Sequence, residues 1–274
     1  MENMLDNRVC IITGSGRGIG REAALMFASE GGKIVVSDLD KAPAEETVNE
    51  IKSRGGEAVA VVGDITGENF PEKIIDTAIE SFSGIDVIVN NAGYTWDSVI
   101  QKMTDEQWDK ILALHCTAPF KILRAAAPFI RESAKKEKEE GKQVMRKVVN
   151  VSSVAGTNGN AGQVNYSTAK AGLMGMTKTL AKEWGRYNVN VNCVAYSWIE
   201  TRLTDEKEKG GQIEIAGQKI EVGIPKLNQE MIKKGIPLGR PGTVNEAARA
   251  IFIFASPLSD WISGQILKVD GGKG

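Results

Sequence analysis

A doubly wound α/β fold around a parallel sheet follows from three features of the 274-residue sequence. Short β-branched runs alternate with longer amphipathic stretches along the whole chain. Several of these runs are apolar at consecutive positions, the pattern of parallel strands covered on both faces. A glycine-rich turn follows the first run and opens a helix. No linker or repeat interrupts the alternation, so residues 1–274 read as one domain. Apolar residues make up 42% of the chain and charged residues 25%, which excludes bulk disorder and supplies a large core.

The elements are read in order. The run 8–12 is a first strand, followed by a helix near 20–30. Strands over 33–37, 58–63 and 85–90 alternate with helices over 41–54 and 68–82. A long helix is expected over 104–135. The charge-dense stretch 133–147 reads as its solvated extension and a loop. Strands over 147–151 and 189–194 flank a helix over 161–185. In 212–215 and 219–222, polar and apolar residues alternate around Ala216-Gly217, which predicts a hairpin. A short helix over 224–234 follows. Long structured excursions in compact domains often carry function, so 198–240 is a candidate substrate lid. A helix over 243–255 and a strand over 265–269 complete about seven sheet strands.

Composition narrows the function classes. Lys plus Arg is 34 and Asp plus Glu is 35, a net charge of -1, so no nucleic-acid partner and no anionic membrane surface is expected. The N-terminal residues 1–6 have neither the basic nor the apolar region of a signal peptide. The longest uncharged stretch, 148–169, is rich in Gly, Asn and Ser and reads as no membrane span. Cys10, Cys116 and Cys193 are too few and too scattered for a disulfide framework, which fits a reducing, cytoplasmic compartment. His115 is the single histidine, which excludes a multi-histidine metal centre.

The turn Thr13-Gly14-Ser15-Gly16-Arg17-Gly18-Ile19-Gly20 has the composition of a pyrophosphate cradle. Its glycines admit close backbone approach, and the helix beyond it presents free N–H groups. Asp38 follows Gly18 by twenty residues, at the end of the second strand beside Leu39. A carboxylate there accepts hydrogen bonds from an adenine ribose and repels a 2′-phosphate. Arg17 argues the other way, because a guanidinium pairs well with phosphate. Asp38 weighs more, so NAD(H) is favoured over NADP(H). Asp64 and Ile65 close the third strand at the height of an adenine. Asn90, Asn91, Ala92 and Gly93 close the fourth, where small residues leave room for ribose and nicotinamide.

Tyr166 and Lys170 are four residues apart on one helix, so their side chains share a face. A neighbouring ammonium favours the phenolate and is expected to lower the tyrosine's pKa. Such a tyrosine exchanges a proton with an alcohol or carbonyl during hydride transfer. Ser153 ends the fifth strand, where a hydroxyl can orient the substrate oxygen.

Taken together, 13–20, Asp64, 90–93, Ser153, Tyr166, Lys170 and Val269-Asp270-Gly271-Gly272 resemble the short-chain dehydrogenase/reductase family over nearly the whole chain. The stretch 159–166 is similar to 3-oxoacyl-acyl-carrier-protein reductases. The resemblance implies a Rossmann-like seven-stranded sheet, a homo-oligomer (tetramer or dimer) and Ser-Tyr-Lys chemistry. It implies that Lys170 also binds the nicotinamide ribose, and that Ile199 and Thr201 lie near the carboxamide. The family usually carries an Asn where this chain has His115, and that residue's carbonyl holds a water in the proton relay. His115 keeps the carbonyl and adds an imidazole that, entering the relay, titrates at about pH 6–7. Tyr196-Ser197 stands where Pro-Gly is common, which alters the pocket floor and the lid hinge.

The expected activity is NAD(H)-dependent interconversion of a secondary alcohol and a ketone, with a 3-hydroxyacyl or 3-oxoacyl thioester as substrate. A sugar, polyol or steroid dehydrogenase of the same family is an alternative, with Tyr94, Trp96 and Trp198 as candidate pocket walls. A non-catalytic cofactor-binding partner subunit is another. Leu112, Phe120, Leu123, Leu173, Met176 and Leu180 give the helices over 104–135 and 161–185 wide apolar faces, suited to an intrachain core or to pairing with a second copy.

Overall fold

The computed structural model describes residues 3–215 and 218–274. Seven strands form one wholly parallel sheet: β1 (Val9–Thr13), β2 (Lys33–Asp38), β3 (Glu57–Val62), β4 (Val87–Asn90), β5 (Arg146–Ser153), β6 (Val189–Tyr196) and, after two strands outside the sheet, β9 (Ile266–Val269). Their spatial order is β3-β2-β1-β4-β5-β6-β9. Strands β1, β4 and β6 are buried at every position, and β1 reads as an apolar run closed by Thr13, whereas β6 also buries Asn190 and Asn192.

One face of the sheet is covered by α1 (Gly18–Ser29), α2 (Lys41–Ser53) and α9 (Val244–Ala255), packed around Phe27, Val36, Ile51 and Phe254. The other is covered by α3 (Phe70–Phe82) and α5 (Ala118–Glu139), around Ile74, Ile88, Ile122 and Leu123. Helix α7 (Val164–Trp184) adds Trp184 and the half-buried Met176 and Leu180 to that second core. The short α4 (Asp105–Leu112) is started by Thr104, whose hydroxyl accepts from the Gln107 N–H while the Gln107 side chain accepts from the Thr104 N–H.

The expected single helix over 104–135 divides in two. Residues Ala113–Thr117 form a π-turn, in which the Ala118 N–H reaches the Ala113 carbonyl, five residues back. Pro119 has no N–H to give to the His115 carbonyl, its partner in a regular α-helix, and the extra residue relieves that mismatch. The charge-dense stretch is helical to Glu139, and β5 begins at Arg146. Arg146 itself is buried and pairs with Glu137 at 2.5 Å, fixing the end of α5 to the sheet.

The excursion after β6 contains the antiparallel pair β7 (Gln212–Ile215) and β8 (Gln218–Glu221). The turn expected at Ala216-Gly217 lies outside the described residues. Helix α8 (Lys226–Lys234) follows; the four-residue α6 (Ala155–Asn158) lies just past β5. Among the described residues no helix is long and apolar enough to cross a membrane.

Candidate active site

The chain reverses its direction of winding between β1 and β4, and the loops leaving the carboxyl ends of the strands open a cleft there. The cleft has a volume of about 820 Å³ and is lined by His115, Ser153, Tyr166, Lys170 and most of the candidate cofactor residues. Asn90, expected beside the ribose, does not line it: it is buried, with its Nδ2 donating to Asn150 Oδ1 at 2.8 Å, and Gly20 does not line the cleft either. Gly20 lies behind it: a Cβ there would stand 2.2 Å from the Gly14 carbonyl oxygen, so this glycine lets helix α1 pack against the turn.

The glycine-rich end of the cleft is built on backbone. Gly14 has φ +65°, and a Cβ on it would meet Ala92 Cα at 2.7 Å. Only glycine satisfies both constraints at once. Asn91 holds the turn from the side, its Nδ2 donating to the carbonyls of Thr13 at 2.9 Å and Gly14 at 3.1 Å. Arg17 is the N-cap of α1 and supplies no side-chain cap, so the N–H groups of that first turn face the cleft without a capping oxygen. These features fit a dinucleotide pyrophosphate.

Asp38 is fixed at the rim. Its Oδ2 accepts from the Gly16 N–H at 2.9 Å and its Oδ1 from the Asp40 N–H at 3.1 Å. Arg17 is turned to Asp40 at 2.6 Å. Leu39 is 41% exposed against the cleft, an apolar surface at the height expected for an adenine. Asp64 accepts from the N–H and the hydroxyl of Thr66, and Ile65 is buried beside it.

Ser153, Tyr166 and Lys170 meet at the inner end. Ser153 Oγ accepts from the Ala155 N–H at 3.1 Å and lines the cleft with Tyr166. Lys170 is 4% exposed; its Nζ donates to the Val151 carbonyl at 2.7 Å and lies 5.5 Å from the centre of the Tyr166 ring. The expected lowering of the tyrosine by the ammonium does not hold in this state. Desolvation pushes Tyr166 up to about 12, against the weaker opposing pull of the Ser153 hydroxyl. Desolvation also brings Lys170 down to about 8. Burial acts on both charged forms more strongly than either group acts on the other.

His115 is 2% exposed and packs edge-to-face on Tyr166, with ring centres 5.0 Å apart. The expected titration at about pH 6–7 is corrected. Burial, reinforced by Lys170, pushes the imidazole well below its ordinary value, and it is neutral at physiological pH.

Two positioning features were not singled out from the sequence. Asn165 is fully buried, and its Nδ2 donates to the carbonyls of Trp96 and Gln107, both at 3.1 Å, while its Oδ1 accepts from the Tyr166 N–H at 2.8 Å. It ties the start of α7 to the 94–98 loop and to α4. Its position next to Tyr166 was the available signal, but its partners lie 58 and 69 residues away. The second is the seating of the β7–β8 hairpin, whose Ile220 and the following Val222 bury themselves against Tyr94, Trp96 and Leu203. Tyr94 and Trp198 line the cleft; Trp96 lies under the hairpin, with Lys110 over its ring. Tyr196 is buried, and its hydroxyl donates to the Ala247 carbonyl at 2.5 Å, joining β6 to α9.

Comparison with known proteins gives relatives that match the chain over nearly its whole length. The family model described as enoyl-(acyl carrier protein) reductase matches residues 14–273. The chain is 34% identical to the 3-oxoacyl-acyl-carrier-protein reductase FabG of Thermotoga maritima, over 98% of each chain. It is 37% identical to the 3-oxoacyl-acyl-carrier-protein reductase of Synechocystis, over 98% of this chain and 97% of that one. It is 32% identical to subunit BbsD of the hydroxy(phenyl)methylsuccinyl-CoA dehydrogenase of Thauera aromatica, over 98% of this chain and 97% of that one. With its parallel sheet, its glycine-rich cleft and these full-length matches, the chain belongs to the short-chain dehydrogenase/reductase family of oxidoreductases.

Proposed function

We propose that this protein interconverts a secondary alcohol and a ketone with NAD(H), and that its substrate is a 3-hydroxyacyl or 3-oxoacyl thioester. The convergence of Ser153, Tyr166 and Lys170 at the inner end of the dinucleotide cleft carries the reading. The thioester rests on the full-length similarity to 3-oxoacyl-acyl-carrier-protein reductases.

A bound nicotinamide dinucleotide supplies or accepts the hydride. Gly14, Gly18 and Ile19 hold the pyrophosphate against the start of α1, and Asp38 accepts from the adenine ribose. Leu39, Asp64 and Ile65 border the adenine. Asn91, Ala92 and Gly93 would border the inner ribose and the nicotinamide, with Ile199 and Thr201 available to the carboxamide. In the reductive direction Tyr166 would give its phenolic proton to the substrate's carbonyl oxygen. A tyrosine raised to about 12 holds that proton throughout the physiological range. Ser153 donates to the same oxygen and orients it. Lys170 binds the ribose hydroxyls, and its ammonium stabilises the phenolate left behind.

The aromatic walls Tyr94 and Trp198 favour a second substrate reading, a ring-bearing acyl thioester. It is supported by the Thauera relative, whose name carries a phenyl group on a CoA ester. We also infer self-association: Phe120 is 46% exposed on α5, and Met176 and Leu180 are only half-buried on α7. Free thiols at Cys10, Cys116 and Cys193 support a cytoplasmic setting.

Oxidation of NADH by acetoacetyl-CoA tests the assignment. Tyr166→Phe is expected to lower kcat by at least about a hundredfold while NADH still binds. A Tyr166→Phe protein that keeps most of its turnover overturns the role given to this residue.

A further inference from the structure

We propose that His115 is a positioning residue for Tyr166, and that through it the seating of the β7–β8 hairpin on the 94–98 loop reaches the proton-donating hydroxyl. This rests on the reading of Tyr166 as the acid/base group.

Each link is a contact in the structure. Ile220 and Val222 pack with Tyr94, Trp96 and Leu203. Tyr94 is joined to His115 through its backbone: its carbonyl oxygen lies 2.7 Å from Nε2. A carbonyl only accepts, so Nε2 carries the proton, and the neutral ring has its second nitrogen, Nδ1, as an acceptor. Nδ1 is enclosed and has no protein hydrogen-bond partner. The ring meets Tyr166 at an interplanar angle of 89°.

The imidazole is also wedged from behind. A Cβ on Gly93 would stand 2.1 Å from His115 Cε1, so the ring occupies the space that a side chain at position 93 would need. The loop and the ring are therefore shaped to each other. The π-turn places His115 between α4 and α5, packed against α7. An imidazole tied to the loop by its N–H and to Tyr166 by its edge cannot follow one without displacing the other. Movement of Tyr94 under the hairpin shifts Nε2, and with it the surface on which the Tyr166 ring rests.

The test is a double-mutant comparison read at Tyr166. Protein carrying ring-labelled tyrosine is observed by NMR, with the Tyr166 signal assigned by its loss in Tyr166→Phe. Val222→Ala, on the hairpin side, is expected to shift or broaden that signal when His115 is present. In a His115→Phe background, which keeps a ring edge but loses the N–H to Tyr94, the same substitution is expected to leave it unmoved. With acetoacetyl-CoA and NADH, Val222→Ala should lower kcat by about tenfold in the wild-type background and by much less beside His115→Phe. If His115→Phe does not fold, His115→Gln replaces it; the amide keeps a donor but removes the ring edge. A Tyr166 signal that ignores Val222→Ala, or that moves equally in both backgrounds, overturns the coupling. Retained turnover in Tyr166→Phe overturns the acid/base reading alone, because the NMR comparison does not depend on turnover.

Discussion

Desolvation drives Tyr166, Lys170 and His115 toward their uncharged forms at the inner end of the cleft. For His115 this has a consequence for stability. The unfolded chain binds a proton at this residue below its ordinary pKa of about 6.5, while the folded chain does not. Protonation therefore favours the unfolded state, and stability is lost as pH falls below that value, by at most about 1.4 kcal/mol per pH unit. Urea midpoints should drop on acidification through this range, and His115→Gln should flatten that drop. An unchanged acid slope in the variant would place its origin elsewhere. The pairing of Tyr166 with Lys170 was legible because the helical period is a local property. The direction of their pKa shifts was not, since desolvation depends on packing brought from β5 and β6. The same holds for His115: its bond to Tyr94 spans 21 residues, and no local pattern announces it.

Helix α9 shows how an element can be secured by one local motif. Thr243 Oγ1 accepts from the Glu246 N–H at 3.2 Å, and the Glu246 carboxylate accepts from the Thr243 N–H at 2.9 Å. Arg240 adds a two-toothed ion pair to that carboxylate and helps to hold it low, at about 2. Asn245 then reaches Glu22 on α1, so the cap sits beside the contact that joins the two helices. Thr243→Ala should cost about 1 kcal/mol, seen as a lower urea midpoint with an unchanged slope. A wild-type midpoint would mean that tertiary packing alone sets this helix end. The seven sheet strands and the strands of the hairpin were readable because each is written in adjacent residues. The π-turn was not, because apolar periodicity continues through it and only Pro119 hints at the break. The hairpin's alternation predicted its strands but not where it lands. Its partners Tyr94 and Trp96 precede it by more than a hundred residues.

The whole molecule is organised by one topological event, the reversal between β1 and β4. It lines up the glycine turn, Asp38, Asn91, Ser153 and Thr201 along a single edge of the sheet, so that a dinucleotide would touch loops from both halves of the chain at once. A ligand bound only by the native state stabilises it by mass action, by about 2.7 kcal/mol at one hundred times its Kd. Cofactor choice should therefore be visible in the melting temperature of the entire protein. Asp38 is held by two backbone N–H groups, and Arg17 is already engaged by Asp40 at 2.6 Å. A 2′-phosphate would meet the first as an uncompensated negative charge and would have to draw the second from its partner. NADH is thus expected to raise Tm more than NADPH at equal concentration. Asp38→Asn should narrow the gap by removing the repulsion while keeping an oxygen for Gly16. If NADPH stabilises the wild-type protein as much as NADH does, Arg17 leaves Asp40 at little cost, and the carboxylate at Asp38 does not govern the choice.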